Sequence, residues 1–216
     1  MRNLIIIGAG GFGRELAWLV ERINTLSPTW NILGFLDDTD AKQGTEVGGY
    51  PVLGRCQGYV YNKDSWFVCA IGTANRRREV VERVSASHGV QFATLVDPSV
   101  MRSDRIAIGE GTIICAGAIL TVDITIGKHV IINLDCTVGH DALIGDFVTL
   151  YPSVNISGNT VINDEVEFGT GSQIIQGKEV GSGSIIGAGA VVVRDIPQGC
   201  TAVGLPARPI KFHHVD

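Results

Sequence analysis

A histidine and an aspartate stand side by side at His140 and Asp141, inside the stretch INLDCTVGHDALIG. An imidazole ionises near pH ~6.5, so it can take a proton from a nucleophile and return it to a leaving group close to neutrality. A neighbouring carboxylate can fix the tautomer and stabilise the imidazolium. Adjacency along the chain does not establish that the side chains touch, so Asp135 stands as a second candidate for the orienting carboxylate. Asn133 could fix substrate or loop geometry. The opposing reading of His140 is a solvated turn residue. No chemistry is assigned to the other histidines: His129 sits at another position of the repeat described below, His88 ends a helix, where a cation meets the dipole favourably, and His213 and His214 lie in the tail.

A second chemical feature opens the chain. Gly8, Gly10 and Gly13 form GxGxxG in LIIIGAGGFGRE, directly after an apolar run over residues 4–7. Such a turn presents backbone N–H groups to a phosphate at a helix N-terminus, and Gly10, Gly11, Phe12 and Gly13 are the candidate contacts. A second strand, NILGFLDD, ends in Asp37 and Asp38, the first 24 residues beyond Gly13. A carboxylate there can accept hydrogen bonds from ribose hydroxyls. Gly72 and Asn75, in AIGTANRRR, complete the candidate set.

These residues need elements to hold them. The pattern predicts a buried strand over 4–7 and a helix over 13–24 with an apolar stripe at Leu16, Leu19, Val20 and Ile23. A third strand follows over 66–72, a helix over 74–87 and a short strand over 91–95. This is a βαβ arrangement with about 95 residues to build it. A dinucleotide domain needs two such halves, so one nucleotide, or a nucleotide-linked sugar, fits better. The opposing reading of the glycines is close packing of a strand on a helix.

From residue 108 the chain becomes periodic. Every sixth residue from Ile108 to Val192 is apolar, fifteen in succession against a 45% background, a run with a chance on the order of 10⁻⁵. Gly follows at seven of the fifteen positions, and Gly or Asn at turns tolerates positive φ. Four residues after each large apolar position stands a small or β-branched residue, Lys178 excepted. A period of six suits neither a helix nor a heptad coil. It suits triangular coils of three short strands, eighteen residues per coil, and 108–197 supplies five coils with the phase unbroken. The coils pair backbone groups above and below, and the small core of each suggests further packing between subunits.

Composition narrows the function classes. Gly is 28 of 216 residues, about twice the usual ~7%. A net charge of −5 argues against a nucleic-acid or anionic-membrane surface. The five cysteines form no CxxC pair, which suits free thiols and a cytoplasmic setting. The N-terminal apolar run is too short for a signal peptide or a membrane span.

The hexads, together with the tail AVGLPARPIK, resemble the left-handed parallel β-helix acyltransferases. Over nearly the whole chain, the ordered stretches IIIGAGGFGRE, GFLDD, AIGTANRRR, DPSV, NLDCTVGHD and GLPARP resemble the sialic-acid O-acetyltransferase-like (NeuD) family of sugar acetyltransferases. The resemblance implies a Rossmann-like α/β domain over 1–97 that binds a nucleotide sugar. It implies a left-handed β-helix with its tail over 98–216 that binds acetyl-CoA and needs no metal. It implies His140 as the base with Asp141 after it, and Thr149, Gly158, Gly169, Thr170, Gly187 and Ala188 along the acetyl-CoA. It further implies a homotrimer with sites between subunits and acetylation of a 4-amino sugar for a bacterial surface glycan. O-acetylation of a sugar hydroxyl would use the same base. A non-catalytic nucleotide-sugar scaffold stands as an alternative. So does a γ-carbonic-anhydrase-like zinc enzyme, although His129 and His140 are eleven residues apart rather than near eighteen. Two departures bear on the sugar: Phe12 where many relatives have His, and Thr149 where some place a second His.

Overall fold

The computed structural model describes residues 1–60, 64–86 and 90–213. Ser87, His88 and His214 lie outside the described residues. The chain forms two compact units, one of residues 1–72 and 76–98, the other of 73–75 and 99–216.

In the first unit β1 (Arg2–Ile7) leads into α1 (Gly11–Leu26), followed by β2 (Trp30–Leu36), β3 (Glu46–Val47), β4 (Tyr50–Gly54), β5 (Ser65–Cys69), α2 (Ala74–Ser85) and β6 (Gln91–Phe92). The sheet order is β3-β4-β2-β1-β5-β6. All neighbours are parallel except the β3–β4 hairpin, which the sequence reading missed. Its turn is Gly48 and Gly49, both at positive φ, a combination that two-residue hairpins favour. Leu4, Ile5, Ile6 and Ile7 of the central strand are buried, with Leu16, Ala17, Leu19 and Val20 of α1 against the sheet. The expected strand over 66–72 stops at Cys69, and the segment expected over 91–95 is two short pieces, β6 and Leu95–Val96.

The glycines of the opening turn have different reasons. Gly8 takes a φ of 101°, and a Cβ on Gly13 would stand 2.1 Å from the Gly8 carbonyl oxygen. Gly13 therefore serves the packing of α1 on β1. Gly10 and Gly11 face open space, with nothing within 4 Å of an added Cβ.

The second unit is a parallel β-helix. Along one face Ile113–Ile114, Ile131–Ile132, Thr149–Leu150, Glu167–Phe168 and Ile185–Ile186 stack in register, each eighteen residues from the last. Two further faces stack in the same way. Of the fifteen hexad residues fourteen are buried, and Ile108, in the first coil, is half-buried. The inward residues four places on are buried as expected, Lys178 again excepted. The ladder runs beyond the expected span, back to Met101 and on to Ala202. Its last coil is short: Ile196 bridges Val180, and Thr201 pairs with Ile185, each at an offset of sixteen. The tail then turns back as an antiparallel strand, Arg208–Phe212.

The turn chemistry corrects one expectation. The glycines that directly follow the large apolar residues are not the left-handed ones. At Gly109, Gly127, Gly139, Gly145, Gly169 and Gly181 an added Cβ would meet atoms of the next coil at 2.4–2.6 Å, so these positions are stripped for coil stacking. The positive φ falls two residues later, at Asp123, His129, Asp135, Asp141, Phe147, Ser153, Asn159 and Glu165 and at Gly111, Gly117, Gly171, Gly177, Gly183 and Gly189.

Gly13→Ala is expected to lose about 1–3 kcal/mol by forcing α1 off β1, whereas Gly11→Ala stays within about 0.5 kcal/mol. Urea titration of the two variants side by side checks the contrast.

Candidate active site

Val138 is buried in the core, and the chain turns outward over Gly139, His140 and Asp141. Asp141 takes the left-handed corner at φ 58°, which Asp tolerates better than most residues. His140 Nδ1 lies 2.8 Å from Asp141 Oδ2, with both side chains about half exposed at 49% and 54%. An exposed pair adds little stability. Its effect is orientation: an ionised Asp141 assigns the ring proton to Nδ1 and leaves Nε2 as the acceptor. Nε2 makes no hydrogen bond within the described residues.

One coil on from His140 stands Gly158. A Cβ there would lie 2.7 Å from Nε2 and Cε1 and 2.9 Å from Cδ2, so the imidazole rests where a side chain would be. Asp135 occupies the preceding corner, its Oδ1 in the space that a side chain on Gly117 would take. No hydrogen bond joins it to His140. Asn133 Oδ1 accepts the Leu134 N–H at 2.8 Å, a local turn contact.

The other expected acetyl-CoA residues gather elsewhere. Gly169 packs on the Ala188 backbone N, 2.6 Å from an added Cβ, and Gly187 faces Val203 Cγ1 at 2.8 Å. Thr170 and Ala188 are exposed one coil apart, and Thr149 is buried at 1% exposure. With eighteen residues per coil, residues of different coils stack directly over one another on an edge when they differ by a multiple of eighteen. His140 and Gly158 share one edge of the triangle; Thr170 and Ala188 share another. His129 belongs to the third, buried and stacked on Phe147 with ring centroids 5.0 Å apart. Among the described residues no three His, Cys, Asp or Glu side chains converge as a metal site.

In the first unit a cavity of about 460 Å³ opens beyond the C-terminal ends of β1 and β2, lined by residues that include Gly8, Asp37, Asp38, Thr39, Cys56 and Arg76. Open parallel sheets bind ligands at this end. Asp37 Oδ2 accepts from the Ala9 N–H at 2.8 Å and from Lys42 Nζ at 2.7 Å, and Oδ1 from the Thr39 N–H at 3.0 Å. Burial pushes its carboxyl up, but the bonds from Lys42, Thr39 and Ala9 outweigh burial and hold it at about 2. One of these bonds ties the end of β2 to the glycine turn, and the other two are local. Asp38, half exposed, accepts from the Cys56 N–H at 2.8 Å and from Arg83 at 2.9 Å. Burial, with Asp38 nearby, pushes the Cys56 thiol up to about 12. The N-terminus of α1 has no side-chain cap and no acidic residue in its first turn. Open N–H groups beside Gly10 and Gly11 therefore suit an anion. Phe12 is half-buried in that turn, and Gly72 and Asn75 frame the entry to α2.

Sequence reasoning missed Cys56, Ile71, Arg76 and Glu79 on the cavity wall. Arg76, in the RRR run at the start of α2, offered a signal as a cation near a phosphate turn. Cys56 offered none, since only the return of β4 beside β2 brings it there.

Residues 3–84 match the PglD N-terminal domain. The chain is 35% identical over 213 residues to GDP-perosamine N-acetyltransferase of Escherichia coli O157:H7, covering 95% of each. It is similar to the acetyltransferase domain of PglB from Neisseria gonorrhoeae, solved with acetyl coenzyme A, at 37% identity and a TM-score of 0.87, covering 97% of this chain and 99% of that one. PerB from Caulobacter crescentus, solved with CoA and GDP-perosamine, shares 29% identity at a TM-score of 0.83, covering 97% of each chain. With both its units matched in one continuous alignment, the chain belongs to the hexapeptide-repeat, left-handed β-helix family of sugar acetyltransferases.

Proposed function

We propose that the chain moves an acetyl group from acetyl-CoA to the amino group of a nucleotide-linked sugar, in the synthesis of a bacterial surface glycan. The observation that carries this reading is the His140 ring, held through Nδ1 by Asp141 at 2.8 Å with Nε2 open beside Gly158. The ligands bound in the Neisseria and Caulobacter relatives support the substrates. The sugar nitrogen attacks the thioester carbonyl carbon. As the C–N bond forms, Nε2 takes a proton from that nitrogen and Asp141 stabilises the imidazolium. The carbonyl oxygen becomes an oxyanion, assigned to backbone N–H groups of the coil that carries Gly158. The C–S bond then breaks, and the imidazolium returns its proton to the departing thiolate.

The acceptor's nucleotide is assigned to the cavity beyond β1 and β2, its phosphates to the open α1 N-terminus. The separation of His140 from Thr170 and Ala188 on two edges supports a thioester held along the second edge of a neighbouring subunit, hence a homotrimer. Five buried free thiols suit a cytoplasmic enzyme.

His140→Ala is expected to lower kcat by about 10²–10⁴ with acetyl-CoA binding and oligomer mass unchanged; turnover within threefold of wild type would sink the assignment. Gly158→Ala, which places a methyl group against the ring, is expected to lower kcat at least about tenfold without loss of thermal stability, read by steady-state kinetics beside a melting curve. Asp37 gives a pH test. Its folded carboxyl lies below the unfolded value, so its stabilisation is complete above pH ~4 and is lost as pH falls through about 2. Asp37→Asn is expected to cost about 1–2 kcal/mol at pH 6 and progressively less below pH 4, as unfolding titrations across that range would register.

A further inference from the structure

The inward stripe of α2 is Ala74, Arg77, Val81 and Val84, each no more than 3% exposed. Three of these are what an amphipathic helix buries. Arg77 is a permanent cation at the fourth position, 1% exposed. Burying a guanidinium is costly unless acceptors surround it. Its Nη1 donates to the Ile71 carbonyl at 2.7 Å and the Gly72 carbonyl at 2.8 Å. These carbonyls belong to residues that follow β5 and lie outside any strand. Arg77 also stands near Cys69: burial pushes that thiol up to about 11, and the Arg77 charge opposes the rise.

The other face of α2 carries Arg76, Glu79 and Val80, which line the cavity together with Ile71, Gly8, Asp37 and Asp38. The segment clamped from below by Arg77 is thus a wall of that cavity. Its position beside the glycine turn is set from two sides: the Ala70 N–H bonds to the Ile7 carbonyl at 2.8 Å, and Arg77 fixes the next two carbonyls. A guanidinium stays charged across the working pH range, and its rigid plane aims the two Nη1 N–H groups at both carbonyls, an aim that a freely rotating ammonium does not hold.

We propose that Arg77 is a positioning residue for the nucleotide half of the acceptor, acting through Ile71 and Gly72 without touching the ligand. This rests on the reading of the cavity as the nucleotide site. Loosening the clamp weakens nucleotide binding and leaves the thioester end and the His140 step unchanged.

The test is titration calorimetry of the full chain with UDP, GDP and dTDP, for wild type, Arg77→Gln and Arg77→Lys, joined to steady-state kinetics. Whichever nucleotide wild type binds, its Kd is expected to rise about tenfold or more in Arg77→Gln, and less in Arg77→Lys. The nucleotide-sugar KM should rise by the same factor, while kcat and the acetyl-CoA KM stay within about twofold. If wild type binds none of the three, the nucleotide reading of the cavity fails and takes this inference with it. If wild type binds and folded Arg77→Gln binds within twofold of it, or if both KM values rise together, the role of Arg77 alone is overturned. Should Arg77→Gln fail to fold, Arg77→Lys decides: an unchanged Kd overturns the proposal.

Discussion

Coil-on-coil backbone contact is the constraint from which the rest of this protein follows. At Gly109, Gly139, Gly169 and Gly181 the space for a Cβ is filled by backbone of the next coil, 2.4–2.6 Å from where the Cβ would stand. Stacking this close leaves no freedom for a coil to slide or rotate. It fixes the edge on which every side chain stands. His140 faces Gly158 because both belong to one edge, and Asp141 meets the ring because the left-handed corner falls on that residue. A side chain on a flexible loop would need extra contacts to hold its orientation. Here the ladder supplies orientation, and a single 2.8 Å contact completes it.

The first unit solves a different problem by different means. Its cavity opens where β1, β2 and β5 stop and the chain leaves the ladder. Backbone groups freed there are taken up by charged side chains: Asp37 accepts the Ala9 and Thr39 N–H groups, and Arg77 donates to the Ile71 and Gly72 carbonyls. Asp37 joins segments 28 residues apart, and Arg77 fastens its helix to the residues that lead into it. Gly13 adds a steric fastener, whereas Gly10 and Gly11 leave open space where a Cβ would stand.

Much of this was legible in the chain. The six-residue phase placed fourteen of fifteen core residues, since one large apolar side chain per side is the only way to fill so narrow a triangle. The inward small residues followed from the same geometry. The left-handed corners were legible only where Gly, Asn or Asp stands, because His129, Phe147 and Glu165 take the same φ against their own preference. The glycines after the large apolar residues serve steric rather than torsional needs, a distinction set by the neighbouring coil and invisible within a single hexad. The contact between His140 and Asp141 depends on side-chain torsions, which spacing does not encode. The sequence suggests Asp37 as a ribose ligand but does not show its bonds to Ala9, in the turn after β1, or to Thr39 and Lys42 just beyond it. The two-glycine hairpin at Gly48 was legible and was overlooked.

The repeat has two clocks, and they tick at different rates. The core recognises residues modulo six, so inserting or deleting one hexad keeps every large side chain pointing inward. The surface recognises residues modulo eighteen, so the same change rotates all downstream chemistry by a third of a turn. A hexad added between Asp141 and Gly158 would preserve the solenoid while carrying the glycine away from the imidazole. Descent within this architecture is thus free to lengthen the rod by whole coils, whereas any step of a single side rewrites which edges meet.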